Sequence, residues 1–147
     1  MHRLLILLLL TACATAPVEY QDPLVPDTEV VTRVVDGDTF VVSKNHVRII
    51  GIDTPEKEEC YYEESSAYLS KLVLSTAVEL IPQPTDNKDK YGRLLRYVHR
   101  GNEDIGLQMI REGYARNYPW FDHPRTDEYE KAQRDAQNAS SGMWGEC

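Results

Sequence analysis

VVTRVVDGDTFVVSKNHVRIIGIDTPE, residues 30–56, holds three runs of β-forming residues separated by two turn signals. Val30 to Val35 reads as a strand, Asp36-Gly37 as a hairpin or bulge, Thr39 to Val42 as a second strand. After the turn Ser43-Lys44-Asn45-His46, Val47 to Ile52 repeats the pattern. Valine, isoleucine and threonine favour the pleated conformation, and Asp-Gly is a strong chain-reversal pair, so the stretch predicts a three-strand meander.

Downstream, Glu63 to Ala77 carries Ala67, Tyr68, Leu72, Val73 and Thr76 at three- and four-residue steps without glycine or proline, which predicts an amphipathic helix. Val78 to Ile81, stopped by Pro82 and Pro84, and Leu94 to His99 predict the fourth and fifth strands. Asp104 is placed to cap a helix from Ile105 to Glu112 that ends at Gly113. Residues 118–125 read as a loop, and a last helix starts at Thr126 or Asp127 and finishes near Ser141-Gly142. Five short strands, one helix inserted among them and two following, predict an α+β domain: a five-stranded OB-fold β-barrel with three α-helices. Barrels of this kind host many functions, so the chemistry has to come from the site.

The N-terminus predicts export. His2-Arg3, the apolar run Leu4 to Leu10 and then Thr11-Ala12-Cys13 show the basic, apolar and small-residue zones of a signal, too short to span a bilayer. Leu10-Thr11-Ala12-Cys13 also resembles the lipobox of bacterial lipoproteins, which implies cleavage before Cys13 and lipidation of that cysteine. The alternative is an ordinary secretory signal, with a secreted or periplasmic product. The expected organisation is a signal peptide at 1–12, a lipidated tether at 13–28 with Pro17, Pro23 and Pro26 among acids, and a folded unit at 29–147. Setting Cys13 aside leaves Cys60 and Cys147, an even pair in a chain that leaves the reducing cytoplasm; the expectation is a disulfide tying the loop after Glu56 to Cys147. Its long loop would stabilise the fold by about 4–5 kcal/mol in the chain-entropy model.

With 16 lysines and arginines against 24 acids the net charge is −8, and cleavage before Cys13 removes Arg3 to give −9. Diffuse attraction to a polyanion is thereby excluded, and any nucleic-acid contact must come from a local patch. Lys88, Lys90, Arg93, Arg96 and Arg100, opposed by Asp89, form the candidate; a strand edge guarded by positive charge is the alternative. A monomer is expected.

Asp38 and Asp53 fall near strand ends, where neighbouring strands bring two carboxylates together at one barrel rim. Two such groups repel unless a cation lies between them. Oxygen ligands without a histidine or cysteine cluster favour calcium or magnesium over zinc, with water and a carbonyl such as that of Thr54 completing the shell. An EF-hand is excluded, because its fifth and twelfth positions counted from Asp36 would be Phe40 and Val47. Glu56, three residues past Asp53 with Pro55 between, stands where a general base would stand. Arg48 and Arg93 each offer a planar fork for phosphate oxygens. Arg48 precedes Asp53 by five positions, which places the two on opposite faces of an unbroken strand; only a bend near Gly51 unites them. The set points to metal-assisted cleavage of a phosphodiester.

Val35-Asp36-Gly37-Asp38-Thr39, Arg48 with Asp53-Thr54-Pro55-Glu56, and Asp89-Lys90-Tyr91-Gly92-Arg93, in that order, resemble the thermonuclease, or staphylococcal nuclease-like, family over about residues 30–145. Glu64-Ser65-Ser66-Ala67-Tyr68, Arg111-Glu112-Gly113-Tyr114-Ala115 and Trp144 add to the likeness. The resemblance implies Ca2+ held by Asp38, Asp53 and the Thr54 carbonyl, Glu56 activating or orienting water, and Arg48 and Arg93 binding phosphate. It further implies contacts from Lys90 and Tyr91 to a terminal phosphate, and cleavage leaving a 3′-phosphate. In relatives a base-stacking aromatic follows the second helix; Asn117-Tyr118-Pro119-Trp120 aligns there only with a gap, and Tyr118 is assigned the role. The loop between Glu56 and the first helix is shortened around Cys60. The expected function is an exported nuclease acting on DNA, preferably single-stranded, and on RNA as a further substrate. The alternative is an OB-fold module that binds nucleic acid without cutting it.

Overall fold

The computed structural model describes residues 26–120 and 124–147. The expected signal, Cys13 and nearly all of the tether lie outside the described residues. β1 (Asp27–Val34) pairs antiparallel with β2 (Thr39–Val42), and β2 with β3 (Asn45–Ile49), which is the predicted meander. On its other edge β1 pairs with β5 (Ala77–Pro82), and β5 with β6 (Leu94–Arg100). A parallel ladder joining Val47, Arg48 and Ile49 to Leu94, Leu95 and Arg96 closes the ring β1-β2-β3-β6-β5. The result is the closed five-stranded barrel, and closure removes the unpaired edges an open sheet of this size would expose.

The inward positions alternate as a strand requires. Val31, Phe40, Val42, Val47, Ile49, Val78, Leu80 and Val98 form one core with Leu69, Leu72 and Val73 of α1 (Tyr62–Val73), Ile105, Met109 and Ile110 of α2 (Ile105–Arg111), and Tyr129 of α3 (Thr126–Asn138). Asp104 caps α2 as expected, its carboxylate accepting from the Leu107 amide at 2.9 Å.

Two boundaries differ from the sequence reading, and three short elements add to it. The helix expected to run to Ala77 stops at Val73, because Leu74 turns extended (ψ 132°) and Ser75 takes φ 57°, freeing Ala77 and Val78 for β5. The strand expected at 47–52 breaks after Ile49, where Gly51 adopts φ 81° and Ile52–Asp53 begins a separate strand, β4. Two two-residue strands, β7 (Glu103–Asp104) and β8 (Arg116–Asn117), were below the length that composition signals, as was α4 (Met143–Glu146), a fourth helix of one turn. β4 and β8 pair through Ile52 with Asn117 and Asp53 with Arg116. α2 packs against α3, β6 and β4. Cys60 and Cys147 form the expected disulfide, spanning 87 residues.

Candidate active site

The turn between β1 and β2 places the first acid. The Val35 and Asp36 amides both donate to the Thr39 carbonyl, and the Asp38 amide donates to Asp36 Oδ1 at 3.1 Å, an Asx-type turn that fixes Asp38 at the mouth of the barrel. Gly37 is required here by proximity rather than by its backbone angle: a Cβ would lie 2.8 Å from Thr54 Cβ and 2.9 Å from Ser65 Cβ. That close approach brings Thr54 onto Asp38. The Thr54 amide and hydroxyl donate to Asp38 Oδ2 at 3.3 and 3.1 Å, and the Thr39 hydroxyl donates to Oδ1 at 3.0 Å. Asp38 and Thr54 are both buried.

The break at Gly51 settles the relation of Arg48 to Asp53. The Ile50 amide leaves the β2 side to donate to the Arg96 carbonyl at 2.9 Å, and the left-handed Gly51 reverses the alternation of faces. Arg48 Nε then lies 3.1 Å from Asp38 Oδ1, and its terminal nitrogen 3.7 Å from Asp53 Oδ1. The guanidinium therefore sits between the two carboxylates. It does not neutralise them fully: burial, and next the charge of Asp38, raise the Asp53 carboxyl above its ordinary range despite Arg48 and Arg116. Burial and then Asp38 likewise raise Asp36.

The third piece is a self-contained turn. Asp89 Oδ1 accepts from the Tyr91 and Arg93 amides at 2.9 and 3.0 Å, its Oδ2 accepts from Arg93 Nε at 2.6 Å, and Gly92 supplies φ 83°. Burial alone would raise the Asp89 carboxyl, but these bonds outweigh it and hold the group below the usual carboxylate range. Arg93 is aimed by this turn so that its terminal nitrogen donates to the Thr39 hydroxyl at 3.3 Å. Contacts thus run without interruption from Asp53 through Arg48, Asp38 and Thr39 to Arg93 and Asp89.

Of these groups Arg48, Asp53, Asp89 and Arg93 line a cleft of about 450 Å³, together with Lys90, Tyr91 and Tyr118, while Asp38 and Thr39 lie behind them. Lys90 Nζ and the Arg93 guanidinium stand 5.0 and 5.6 Å from the centre of the exposed Tyr91 ring. Tyr118 enters because its amide donates to the Gly51 carbonyl at 2.9 Å. Glu56 lies two residues beyond Thr54 on an exposed turn, its amide bonded to Glu59 Oε2 at 2.8 Å and its carbonyl accepting from the Glu59 amide.

The basic patch needs correction. Lys88, Lys90 and Arg93 line the cleft, but Arg96 turns inward, buried, with its guanidinium donating to the Asn87 and Leu95 carbonyls. Arg100 bonds Glu103 and the Leu72 carbonyl. Arg96 shares its face of β6 with Leu94 and the core residue Val98, two positions to either side, which sends it inward. Sequence reasoning also missed three contributors. Thr39 bridges Arg93 to Asp38, Asp89 aims Arg93, and Arg116 faces Asp53 across the β4–β8 pair. An Asp three positions before a glycine was a readable signal for the Asp89 turn; nothing local announced Arg116.

Among the described residues no three histidine, cysteine, aspartate or glutamate side chains are grouped closely enough to hold a metal ion by themselves. Two carboxylates that remain in mutual repulsion, in a cleft open to water, fit a hard cation that takes its remaining ligands from carbonyl, water or substrate oxygens. With no histidine or cysteine grouped beside them among the described residues, they favour such a cation over zinc.

Residues 46–146 match the family described as staphylococcal nuclease homologue. The chain is 34% identical over 132 residues to a thermonuclease of Staphylococcus intermedius, covering 80% of this chain and 76% of that protein. It is 33% identical over 130 residues to a thermonuclease of Staphylococcus hyicus, covering 78% and 73%. To an uncharacterized endonuclease of Haemophilus influenzae it is 33% identical over 121 residues, covering 79% and 65%.

Proposed function

The chain belongs to the staphylococcal nuclease family and is a phosphodiester hydrolase acting on nucleic acid, and on that premise we propose that it is an exported, calcium-dependent nuclease preferring single-stranded DNA. The observation that carries the reading is the unbroken run of contacts linking Asp53, Arg48, Asp38, Thr39 and Arg93 beside one cleft.

In this reading Asp38, Asp53 and the Thr54 carbonyl would hold calcium, which would supply positive charge against the phosphate and a site for ordered water. Arg48 and Arg93 bind the phosphate oxygens through their guanidinium forks and stabilise the charge that grows as the pentacoordinate phosphorus forms; each such donor is worth roughly a hundred- to a thousandfold in rate. Glu56 takes the proton from the attacking water at its carboxylate, and attack proceeds in line with the departing oxygen. Lys90 and Tyr91 engage a neighbouring phosphate, and Tyr118 stacks on a base. A small cleft of this kind admits an accessible strand more readily than a stiff duplex, which supports the preference for single strands, with RNA as a further substrate. Asp89 and Thr39 orient Arg93, and Thr54 orients Asp38.

Export rests on the basic, apolar and small-residue order of residues 2–13, and anchoring on lipidation of Cys13, which would tether a monomeric domain beginning near residue 29 to the cell envelope. Mass spectrometry of the membrane fraction tests this: a diacylglyceryl adduct on Cys13 supports it, and an intact N-terminus in the cytosol refutes it.

Incubation of the protein with single-stranded DNA in calcium and then with excess chelator tests the activity. Fragments formed only in calcium support the proposal. Retention of DNA without cutting in either condition would make the protein a binding module, and fragments formed equally under chelator would overturn the role of the ion.

A further inference from the structure

We propose that the Cys60–Cys147 disulfide is a positioning element for Glu56, so that the nuclease turns over at full rate only with this bridge closed. The inference rests on the reading of Glu56 as the residue that takes the proton from water.

The segment from Thr54 to Tyr61 joins β4 to α1 without belonging to either. Its front end is tied down by Thr54, which bonds Asp38 through amide and hydroxyl. Between the ends its hydrogen bonds are local: the Glu56 amide to Glu59 Oε2, the Glu59 amide to the Glu56 carbonyl, and the Tyr62 amide to the Glu59 carbonyl at 3.3 Å. Bonds of this range follow the loop wherever it goes and do not fix it to the barrel. Glu58 and Tyr61 moreover adopt φ 76° and 74°, a left-handed conformation that non-glycine residues enter at a cost and keep only when their surroundings enforce it.

The enforcement comes from the rear end. Cys60 is bonded to Cys147, and the Tyr61 ring meets that of Tyr114 at 5.4 Å. Cys147 is exposed, but its amide donates to the Met143 carbonyl at 3.0 Å. It follows α4, whose Met143 is buried and donates its amide to the Gly113 carbonyl at 2.9 Å. The backbones of Gly113 and Gly142 approach so closely that a Cβ on either would meet a carbonyl oxygen at 2.1 or 2.4 Å. The bridge therefore ties the Glu56 loop to α4, and Glu56 lies between the buried Thr54 and Pro55 on one side and Cys60 on the other. Opening the bridge leaves the rear end held by the Tyr61–Tyr114 ring contact without its covalent tie. A dithiol such as dithiothreitol does this by thiolate attack on one sulfur, release of the other as a thiolate and closure of the reagent to its cyclic disulfide; two electrons and two protons end on Cys60 and Cys147.

The oxidised full chain is to be compared with the same chain reduced by dithiothreitol and alkylated, and with Cys60→Ser/Cys147→Ser, at a temperature where circular dichroism shows all three folded. With single-stranded DNA as substrate, kcat falls ten- to a hundredfold in both opened forms, as a displacement near 1 Å of a catalytic group produces, while KM stays within about twofold. Hydrogen exchange of amides 56–61 accelerates while amides of β2 and β6 keep their protection. In a Glu56→Gln background, opening the bridge changes the residual kcat by less than twofold. Equal kcat in the open and closed forms overturns the proposal, as does acceleration spread evenly over the barrel, or an undiminished loss in the Glu56→Gln background. If Glu56→Gln itself turns over like the wild type with the bridge closed, the assignment of Glu56 fails and this proposal with it. If Glu56→Gln is inactive and the reduced wild type is not, the proposal alone fails.

Discussion

Replacing Gly37 by alanine would disturb Asp38 without altering any charged group. The added methyl carbon meets Thr54 Cβ and Oγ1 at 2.8 Å and Ser65 Cβ at 2.9 Å, all below real carbon contacts, so one wall must retreat by roughly 0.7 Å to reach ordinary van der Waals distance. Ser65 is fully buried in the first turn of α1 and donates its hydroxyl to the Tyr114 carbonyl at 2.7 Å, which leaves it little room. Thr54 begins an irregular segment and is the side that yields, drawing its amide and hydroxyl away from Asp38 Oδ2. Overpacking of this kind costs about 1–3 kcal/mol, which lowers the melting temperature by several degrees for a domain of this size. Displacement of the Thr54 and Asp38 pair by a sizeable fraction of an ångström reduces kcat about ten- to a hundredfold. Thermal melting by circular dichroism and initial rates on a fluorescent single-stranded oligonucleotide measure both effects. An alanine variant with the melting temperature and kcat of the wild type would refute the argument that Gly37 serves the approach of Thr54 to Asp38.

Glu56→Gln and Arg93→Ala should each reduce kcat by two or more orders of magnitude with a change in melting temperature of no more than a few degrees, because Glu56 is exposed and the Arg93–Asp89 pair is partly open to solvent; wild-type rates in both would refute the roles given to them. Asp89 is held below its ordinary pKa, so its contribution to stability is present above the usual carboxylate range and lost as pH falls through the lowered value. Asp89→Asn should flatten that acid-side loss in a melting series against pH and raise KM about tenfold by releasing Arg93; an unchanged acid limb would count against it. Asp53 has the opposite sign: its raised pKa means that stability present at low pH is lost as pH rises through the folded value. Asp53→Asn should therefore raise the melting temperature at neutral pH in chelator while abolishing turnover, and a lowered melting temperature would contradict the stated repulsion from Asp38.

The barrel was legible because Val30–Val35, Thr39–Val42 and Leu94–His99 combine β-branched residues with turn signals at their ends, and local preference agreed with tertiary pairing. The end of α1 was not, since Leu74, Ser75 and Thr76 continue a helical rhythm and only the demand of β5 for pairing with β1 at Ala77 overrides it. Glycine at position 51 was visible as a place for a bend, but its direction depended on the parallel ladder between β3 and β6, a contact between segments far apart in sequence. The same ladder explains the arginines. Lys90 and Arg93 belong to a turn and face the cleft, whereas Arg96 lies on a strand whose alternation sends it inward. Acids and guanidinium groups of the site were readable from their motifs; the neutral Thr39 and the cross-strand Arg116, which complete the electrostatics, were fixed by pairings that no short motif encodes.

If Asp38 and its neighbours hold a cation without which the phosphodiester is not cut, the initial rate of single-stranded DNA hydrolysis must follow free calcium. That rate is to be measured from chelated to saturating concentrations in the wild type and in Asp38→Asn. Wild-type turnover is expected to be negligible under chelator and to rise saturably with calcium, and Asp38→Asn to show no such rise. Full wild-type turnover in excess chelator, or the same calcium curve for Asp38→Asn, would contradict this requirement for a cation.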